Sequence, residues 1–273
     1  MDRKTKAERF AALHAGPEIL ILPNAWDAAS AAIMADAGAK AVATSSAAVA
    51  WAHGYPDGDA LPLANLLFTI ETVDRVARVP VTADIEGGYT DDLARLGETI
   101  RAVIGAGAVG INLEDGRRMS ELHARKVEAA RRAADAEGVS LFINARADVY
   151  LKALADGEAA FDETVRRAAL YQAAGASGIF VPGPKDETLI ARLAGAIGLP
   201  LNLMLLPGLP NAQRLQALGV SRLSSAGAPF RLAYATLAGA VAGYLRDGEA
   251  SHFAAGAELR ASLNERFGPT RSG

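Results

Sequence analysis

The chain has 273 residues, 51% of them apolar, and a formal charge of −3 in which acidic and basic residues are scattered. Without a concentrated basic patch, nucleic acid is not expected as a partner. The absence of cysteine excludes disulfides, thiolate metal sites and cysteine nucleophiles. The N-terminus is charged and no apolar run reaches the roughly 18 residues of a membrane span, so a cytoplasmic protein without a membrane partner is expected.

Eight short apolar runs recur along the chain, and each ends at polar or turn-forming residues. They are too short for helices and are typical of strands that are buried on both faces of a parallel sheet. The runs cover residues 19–24, 41–46, 79–86, 109–115, 140–146, 178–183, 199–208 and 220–227.

Segments with helical periodicity separate these runs. One is predicted to begin near Asp27 and to end at Gly38, and another follows Asp91 and Asp92, which we expect to pair or to cap the helix. Three more segments of this kind cover residues 121–138, 161–175 and 186–198. Strand–helix alternation indicates parallel strands with right-handed crossovers.

Eight such units in about 250 residues favour an α/β fold, the (β/α)₈ TIM barrel. An open doubly wound sheet suits the chain less well, because no glycine-rich nucleotide turn follows the first run. We expect residues 1–247 to form the catalytic barrel. Residues 248–273 would be a helical extension of the same domain, able to pack on a neighbouring subunit.

Acidic residues follow two neighbouring strands at the barrel face where active sites lie. Asp84 and Glu86 are one residue apart and share a face of the third strand, and Glu114 converges on them from the fourth. Such carboxylates repel one another unless a cation or protons neutralise them. Oxygen ligands without cysteine or histidine nearby predict Mg²⁺ (or Mn²⁺). For Asp115 a salt bridge or helix cap is favoured.

Arg146 ends the fifth strand beside these acids. An arginine in this position can clamp a substrate carboxylate with two hydrogen bonds, and the alternative is a structural ion pair with one of the acids. Ser45 and Ser46 follow the second strand and offer hydroxyl and N–H groups to an anion. The pattern indicates a small-molecule carboxylate substrate, a di-acid, tri-acid or keto acid.

Four motifs, which follow one another along the chain as they do in the family, resemble the isocitrate lyase/phosphoenolpyruvate mutase superfamily. "TADIEGGY" (82–89) is similar to its metal-binding strand, "GINLEDG" (110–116) to the next strand, and "FINARADVYL" (142–151) to its arginine strand. "GYPDGDAL" (54–61) resembles its short segment after the second strand. The resemblance covers roughly residues 18 to 240, including the opening "ILPNAWDAASA".

The resemblance implies a (β/α)₈ barrel, often with an exchanged eighth helix, in a homodimer or homotetramer. It also implies Mg²⁺ and an enolate formed while a C–C or C–P bond is made or broken. Asp84 resembles the direct metal ligand, and Arg146 resembles the binder of the substrate carboxylate. The other matched positions are Asp57, Glu86 and Glu114 for acids that hold metal-bound waters, Ser45 or Ser46 for substrate contacts, and Asn202 for a polar substrate contact on the seventh strand. Asp57, Glu114 and Arg146 are the candidate catalytic residues.

The chain also departs from the superfamily pattern. The region after the fourth strand lacks the lyase K-K-C-G-H segment, lacks the mutase K-x-N-S pattern, and leaves little room for a long gating loop. Gly183 stands near the position of a lyase glutamate, and Glu86 replaces an aspartate. These differences favour a reaction that needs little from a general acid.

The predicted function is therefore a Mg²⁺-dependent carbon–carbon lyase, decarboxylase or hydrolase. Its substrate would be an oxaloacetate-like 2-keto or 2-hydroxy di-acid, cleaved through a metal-stabilised enolate. The alternatives are C–P chemistry of the phosphonopyruvate hydrolase or phosphoenolpyruvate mutase type, a non-catalytic carboxylate-binding barrel, and a Schiff-base aldolase using Lys185. Candidate proton-transfer groups are Tyr89, His53 and His123, with His53 favoured as a surface loop residue and His123 as part of a solvated helix face.

Overall fold

The computed structural model describes residues 2–257 and 259–268, and within them it has nine parallel strands in one sheet. The strands are β1 (Leu20–Leu22), β2 (Asn24–Ala25), β3 (Val42–Thr44), β4 (Val81–Asp84), β5 (Gly110–Glu114), β6 (Phe142–Arg146), β7 (Gly178–Phe180), β8 (Leu201–Met204) and β9 (Arg222–Ser224). The α-helices are α1 (Arg3–Ala15), α2 (Ala28–Asp36), α3 (Ser46–Ala52), α4 (Leu63–Ala77), α5 (Leu93–Gly105), α6 (Ser120–Ala136), α7 (Gly157–Ala173), α8 (Glu187–Ala196), α9 (Ala212–Ala217), α10 (Ala228–Asp247) and α11 (Leu259–Phe267).

The sheet closes into a barrel because β1 and β2 are two halves of one strand, divided at Pro23. β1 pairs with β9, and β2 pairs with β3, so the strand order runs around the full circle. Proline has no N–H for the ladder, which accounts for the division. Each of the eight predicted runs contains a strand of the barrel, and the (β/α)₈ prediction is confirmed.

Short polar side chains begin several of the helices. Asp27 accepts a hydrogen bond from the Ser30 N–H at 2.7 Å, and the Ser30 hydroxyl bonds back to the Asp27 N–H, which forms a capping box. Asp92 accepts from the first N–H groups of α5 at 2.8 and 3.1 Å. The predicted beginnings of α2 and α5 are thereby confirmed.

Helix α1 closes the amino end of the barrel, a role that the charged N-terminal sequence did not indicate. Phe10 is fully buried and meets the ring of Phe142 edge-on at 5.5 Å. His14 stacks on the same ring at 3.8 Å, and burial lowers the pKa of His14 to about 3, so its imidazole is neutral.

The interior of the barrel is polar beneath its carboxyl end. The Asn144 amide donates to the side-chain oxygens of Asn112 and Asn202, at 2.9 and 3.0 Å. Arg222 is buried inside the barrel and donates to the Asn112 oxygen at 3.2 Å. Its Nε and Nη1 atoms have no hydrogen-bond partner in the part of the chain that the structure describes. Burial lowers the pKa of Arg222 to about 9.

The C-terminal region leaves much apolar surface exposed. In α10 only Phe230 and Gly243 are buried, while Leu232 is 72% and Leu245 77% exposed. The C-terminal extension contains a 3₁₀ helix (Ala250–Gly256) followed by α11. Residues 258 and 269–273 of that extension lie outside the described residues. Among the described residues, no helix is both long and apolar enough to span a membrane.

Candidate active site

Asp84 ends β4 at the carboxyl face of the barrel and is held by the neighbouring strand and loop. Its N–H donates to the Thr44 hydroxyl at 2.9 Å. One of its carboxylate oxygens accepts from the Ser46 N–H at 3.2 Å and from the Ser46 hydroxyl at 3.0 Å. Ser46 therefore fixes the orientation of the acid that the sequence analysis placed at the metal.

Glu86 lies in a strained turn directly after Asp84. Its φ is 52°, and Tyr89 in the same loop has φ 61°, which is the left-handed region that non-glycine residues avoid. The Glu86 carboxylate accepts hydrogen bonds from the Asp59 N–H and, at 3.4 Å, from the Tyr89 hydroxyl. Burial, followed by the charges of Asp59, Asp84 and neighbouring acids, raises the pKa of Glu86 to about 7. Strain of this kind is common where function requires it.

Asp59 organises the loop that carries Asp57. The Asp59 carboxylate accepts from the N–H groups of Gly87 and Tyr89, at 3.2 and 3.3 Å, and pairs with Arg118 at 3.1 Å. It thereby joins the loop after β3 to the turn after β4. Asp59 was not among the predicted site residues, although it lies within the segment 54–61 and only two residues from Asp57.

Glu114 and Arg146 are direct partners across β5 and β6. The Nη1 atom of Arg146 contacts Glu114 at 2.5 Å, while Nε and Nη2 contact Asp148 at 2.6 and 3.2 Å. The ion pair given as an alternative for Arg146 is thus present. Burial, opposed by Arg146 and reinforced by Asp84, raises the pKa of Glu114 to about 8.

A cavity of about 180 Å³ lies above Asp84 at the carboxyl end of the strands. Its walls include five of the eight predicted site residues, which are Ser45, Ser46, Asp57, Asp84 and Arg146. They also include Asn24, Asn112, Phe180, Ser224, Gly227 and Arg231. Burial, and then the charge of Asp84, raises the pKa of Asp57.

The other three predicted residues do not line this cavity. Glu86 and Glu114 lie next to it, and their contacts are with the groups described above. Asn202 lies deeper in the barrel, where its amide donates to the Leu203 carbonyl at 2.7 Å and its oxygen accepts from Asn144. Its hydrogen-bonding groups are used within the polar interior rather than at the cavity wall.

Several alternative site residues are placed away from the cavity. His53 bonds to Thr69 and Asn65, and Lys185 is exposed in the loop after β7. Asp115 is buried in an ion pair with Arg167 at 2.6 Å, as favoured from the sequence. The prediction of a solvated His123 is wrong.

His123 is fully buried and meets Tyr171 edge-on at 4.6 Å. Burial lowers its pKa to about 3. The many charged residues of α6 suggested an exposed helix. The helix packs against both α5 and α7, however, and therefore buries a wide face that includes His123.

The donor set at the mouth consists of carboxylate, hydroxyl and amide oxygens. In the described ranges no three acidic or histidine side chains are arranged around one point as ligands of a single ion. Mg²⁺ commonly retains several waters and takes one or two protein carboxylates directly. These residues therefore fit a hydrated hard cation better than a fully protein-ligated one.

The chain is similar to several known proteins. The family model described as phosphoenolpyruvate phosphomutase matches residues 10–245. An uncharacterised protein of Mycobacterium tuberculosis is 34% identical over 223 residues, which are 81% of this chain and 83% of that protein. An oxaloacetate decarboxylase of Ectopseudomonas mendocina is 30% identical over 217 residues, 77% of this chain and 74% of the relative. A solved structure from Burkholderia cenocepacia J2315, assigned as a candidate phosphonomutase, is 43% identical with a TM-score of 0.83, covering 86% of this chain and 98% of that one.

Proposed function

The chain belongs to the phosphoenolpyruvate phosphomutase family and is an enzyme, and from this we propose that it cleaves a carbon–carbon bond in an oxaloacetate-like 2-keto or 2-hydroxy di-acid. The observation that supports this most is the common cavity of Asp57, Asp84 and Arg146. A di-acid of this kind needs acidic side chains that hold a cation and a guanidinium that binds its carboxylate.

We propose Mg²⁺ (or Mn²⁺) as the cofactor. Asp84 would hold it directly, and Asp57, Glu86 and Glu114 would hold its waters. A cation there supplies Lewis-acid stabilisation of the negative charge that develops on the substrate's keto oxygen. The raised pKa values of Glu86 and Glu114 support this. Burial and neighbouring acids disfavour the ionised form of both carboxyls, and a bound cation would stabilise that form.

Arg146 would bind the carboxylate next to the keto group. Three of the five N–H groups of its guanidinium are held by Glu114 and Asp148, which leaves two for a substrate. The pair of acids fixes the side chain before the substrate arrives, which reduces the ordering cost of binding. The Ser45 hydroxyl, which only accepts a hydrogen bond from the Ala48 N–H, would donate to a substrate oxygen, while both donors of Ser46 hold Asp84.

In a decarboxylation of this kind, the bond between C3 and the distal carboxyl carbon breaks and CO₂ leaves. The electron pair of that bond forms a C2=C3 double bond while the π pair of the keto group moves to its oxygen, and the resulting enolate then takes a proton at C3. Among the described residues, no histidine or lysine lines the cavity, so solvent is the proton source most consistent with its walls.

The second candidate is C–P chemistry on a phosphonate analogue of the same keto acid. The family description and the 43% identical candidate phosphonomutase favour it. It would use the same cation and the same arginine, so the two reactions differ in the group that leaves.

Formation of pyruvate, or of phosphoenolpyruvate from phosphonopyruvate, across a panel of substrates tests the proposal. Purified enzyme is supplied with Mg²⁺ or with a chelator, and with oxaloacetate, methylisocitrate or phosphonopyruvate. We expect Mg²⁺-dependent pyruvate formation from oxaloacetate well above the rate with Mg²⁺ alone. Turnover of phosphonopyruvate instead would favour the second candidate, and no turnover of any of them would contradict both.

We also propose that the enzyme is a cytoplasmic homodimer or homotetramer that exchanges its C-terminal helix. Ile21 in β1 is 60% exposed, and with Ile19 and Met34 it lines an apolar groove beside α2. The exposed apolar face of α10 would cover the same groove on a second copy.

A further inference from the structure

Four charged residues line the cavity, and Arg231 is the one among them that was not predicted from the sequence. It lies in the first turn of α10 and lines the cavity together with Ser45 and Asp84. Its side chain has no hydrogen bond or ion pair with any residue in the described ranges. It is exposed, so its guanidinium is available to a ligand.

Local packing directs Arg231 toward the serine wall. A Cβ atom on Gly227 would lie 3.0 Å from the Arg231 Nη1 atom and 4.0 Å from the Ser45 hydroxyl oxygen. The guanidinium therefore passes over a residue without a side chain and reaches the space beside Ser45. A larger residue at position 227 would compete with the guanidinium for that space.

The first turn of α10 is attached to the body of its own chain. Phe230 is buried and contacts the rings of Trp26 at 5.3 Å and Trp51 at 5.6 Å, and it stacks on Tyr234 at 4.0 Å. Aromatic contacts of this type fix a side chain and its backbone. Arg231, the next residue, is thus held at the cavity of its own subunit even if the rest of α10 packs elsewhere.

The charges around the cavity leave a role for a second positively charged side chain besides Arg146. Arg146 lies between Glu114 and Asp148, so its charge is offset by carboxylates. Asp57 and Asp84 add further negative charge to the walls. A substrate with two acidic groups needs a positive partner for the second one, and Arg231 has no carboxylate partner among the described residues.

We propose that Arg231 binds the second acidic group of the substrate and thereby selects di-acids over mono-acids. This inference rests on the proposed function, since it assumes that the cation and Arg146 hold the keto-acid or hydroxy-acid end. Arg231 is then a specificity-determining residue, and the length of the preferred substrate is set by the span from Arg146 to Arg231.

The dissociation constants of L-lactate and L-malate, measured by calorimetry in excess Mg²⁺, test this. Malate differs from lactate by one added carboxylate, and neither is a 2-keto acid. We expect wild-type enzyme to bind malate at least tenfold more tightly than lactate. Arg231→Met should weaken malate binding about 10- to 100-fold, the usual range for a lost charge-assisted hydrogen bond, and change lactate binding less than about twofold. Arg231→Lys should retain part of the preference.

Arg246→Met is the matched control, since it removes an exposed arginine from the last turn of the same helix, where it pairs with Asp247 at 3.0 Å. It should bind both ligands as the wild type does. Equal losses for lactate and malate in Arg231→Met, or an unchanged malate affinity, would overturn the inference while leaving the metal site intact. Lactate binding that does not depend on Mg²⁺ would instead contradict the proposed function.

Discussion

At the scale of single residues, the site divides acids that face the cavity from acids that support the fold. Asp57 and Asp84 belong to the first group and face the cavity with Arg146, whereas Asp92 caps α5 and Asp91 pairs with Lys126 at 2.8 Å. The sequence could separate these groups because Asp84 ends a buried strand while Asp92 begins a helix. It gave an ion pair of Arg146 with one of the acids only as an alternative, because the partner, Glu114, is decided by the register of two strands.

Substitution of these residues should follow that division. We expect Asp84→Ala and Arg146→Ala each to lower kcat/KM for the active substrate by at least about 100-fold, since both would remove a charge from the reacting centre. Asp92→Ala should retain most of the activity and lose roughly 1 kcal/mol of stability with its helix cap. Steady-state kinetics and thermal unfolding of the three variants check this, and similar losses of activity in all three would refute the site assignment.

The raised pKa values of Glu86 and Glu114 predict a pH dependence of stability. In the folded, metal-free enzyme these acids bind protons up to about pH 7 and 8, whereas in the unfolded chain they release them near pH 4.5. The folded state therefore binds more protons in this window, and the free energy of unfolding should fall as the pH rises from about 5 to 8.

Thermal unfolding at several pH values, in a chelator and in excess Mg²⁺, measures this effect. We expect the melting temperature to decline with pH in the chelator and to decline less with Mg²⁺, which favours the ionised acids. Glu114→Gln should flatten the metal-free profile, whereas the exposed Glu98→Gln should not. A flat profile for the unaltered, metal-free enzyme would contradict the assignment of a buried acid cluster.

At the scale of elements, a network of ion pairs joins the loop after β5 to the two loops that carry the acids. Arg118 pairs with Asp59 at 3.1 Å and with Asp91 at 2.8 Å, and its guanidinium packs on Gly87. The eight strands could be predicted from apolar runs alone, since these depend on local sequence. This network could not, because its members are up to 59 residues apart and belong to three loops.

Loss of Arg118 should loosen the loop that positions Asp57. We expect Arg118→Ala to weaken Mg²⁺ binding about tenfold, as is usual when a group that orients metal ligands is removed, and to speed hydrogen exchange in residues 54–61. The adjacent Arg117→Ala is the control, since that guanidinium donates to the Lys152 carbonyl at 3.3 Å. Unchanged exchange in residues 54–61 would show that the network does not hold the loop.

At the scale of the whole molecule, the exposed face of α10 and the groove beside β1 are complementary in apolar character. Helix periodicity could not identify these two surfaces. Apolar residues lie on more than one side of α10, so the pattern does not show which side contacts its own barrel and which side is left for a second copy. Packing of α10 on a second copy would remove both exposed surfaces at once, which is the expected use of large apolar patches.

Charged substitutions on the two surfaces should disrupt assembly. Light scattering should show a dimer or tetramer for the wild type and smaller species for Ile21→Glu and Leu245→Glu. Met119→Glu, which alters a 73% exposed residue in the loop after β5, should leave the mass unchanged. A monomeric wild type at micromolar concentration would rule out the proposed exchange.

Arg222 places a positive charge permanently inside the barrel. It is part of the covalent chain, lies beneath the acidic mouth, and is stabilised by the charge of Asp84. A divalent ion, in contrast, dissociates, and the carboxylates then repel one another without it. With this permanent counter-charge below them, we expect the stripped enzyme to stay folded long enough to be reloaded, so that cobalt or manganese could replace magnesium as a spectroscopic reporter.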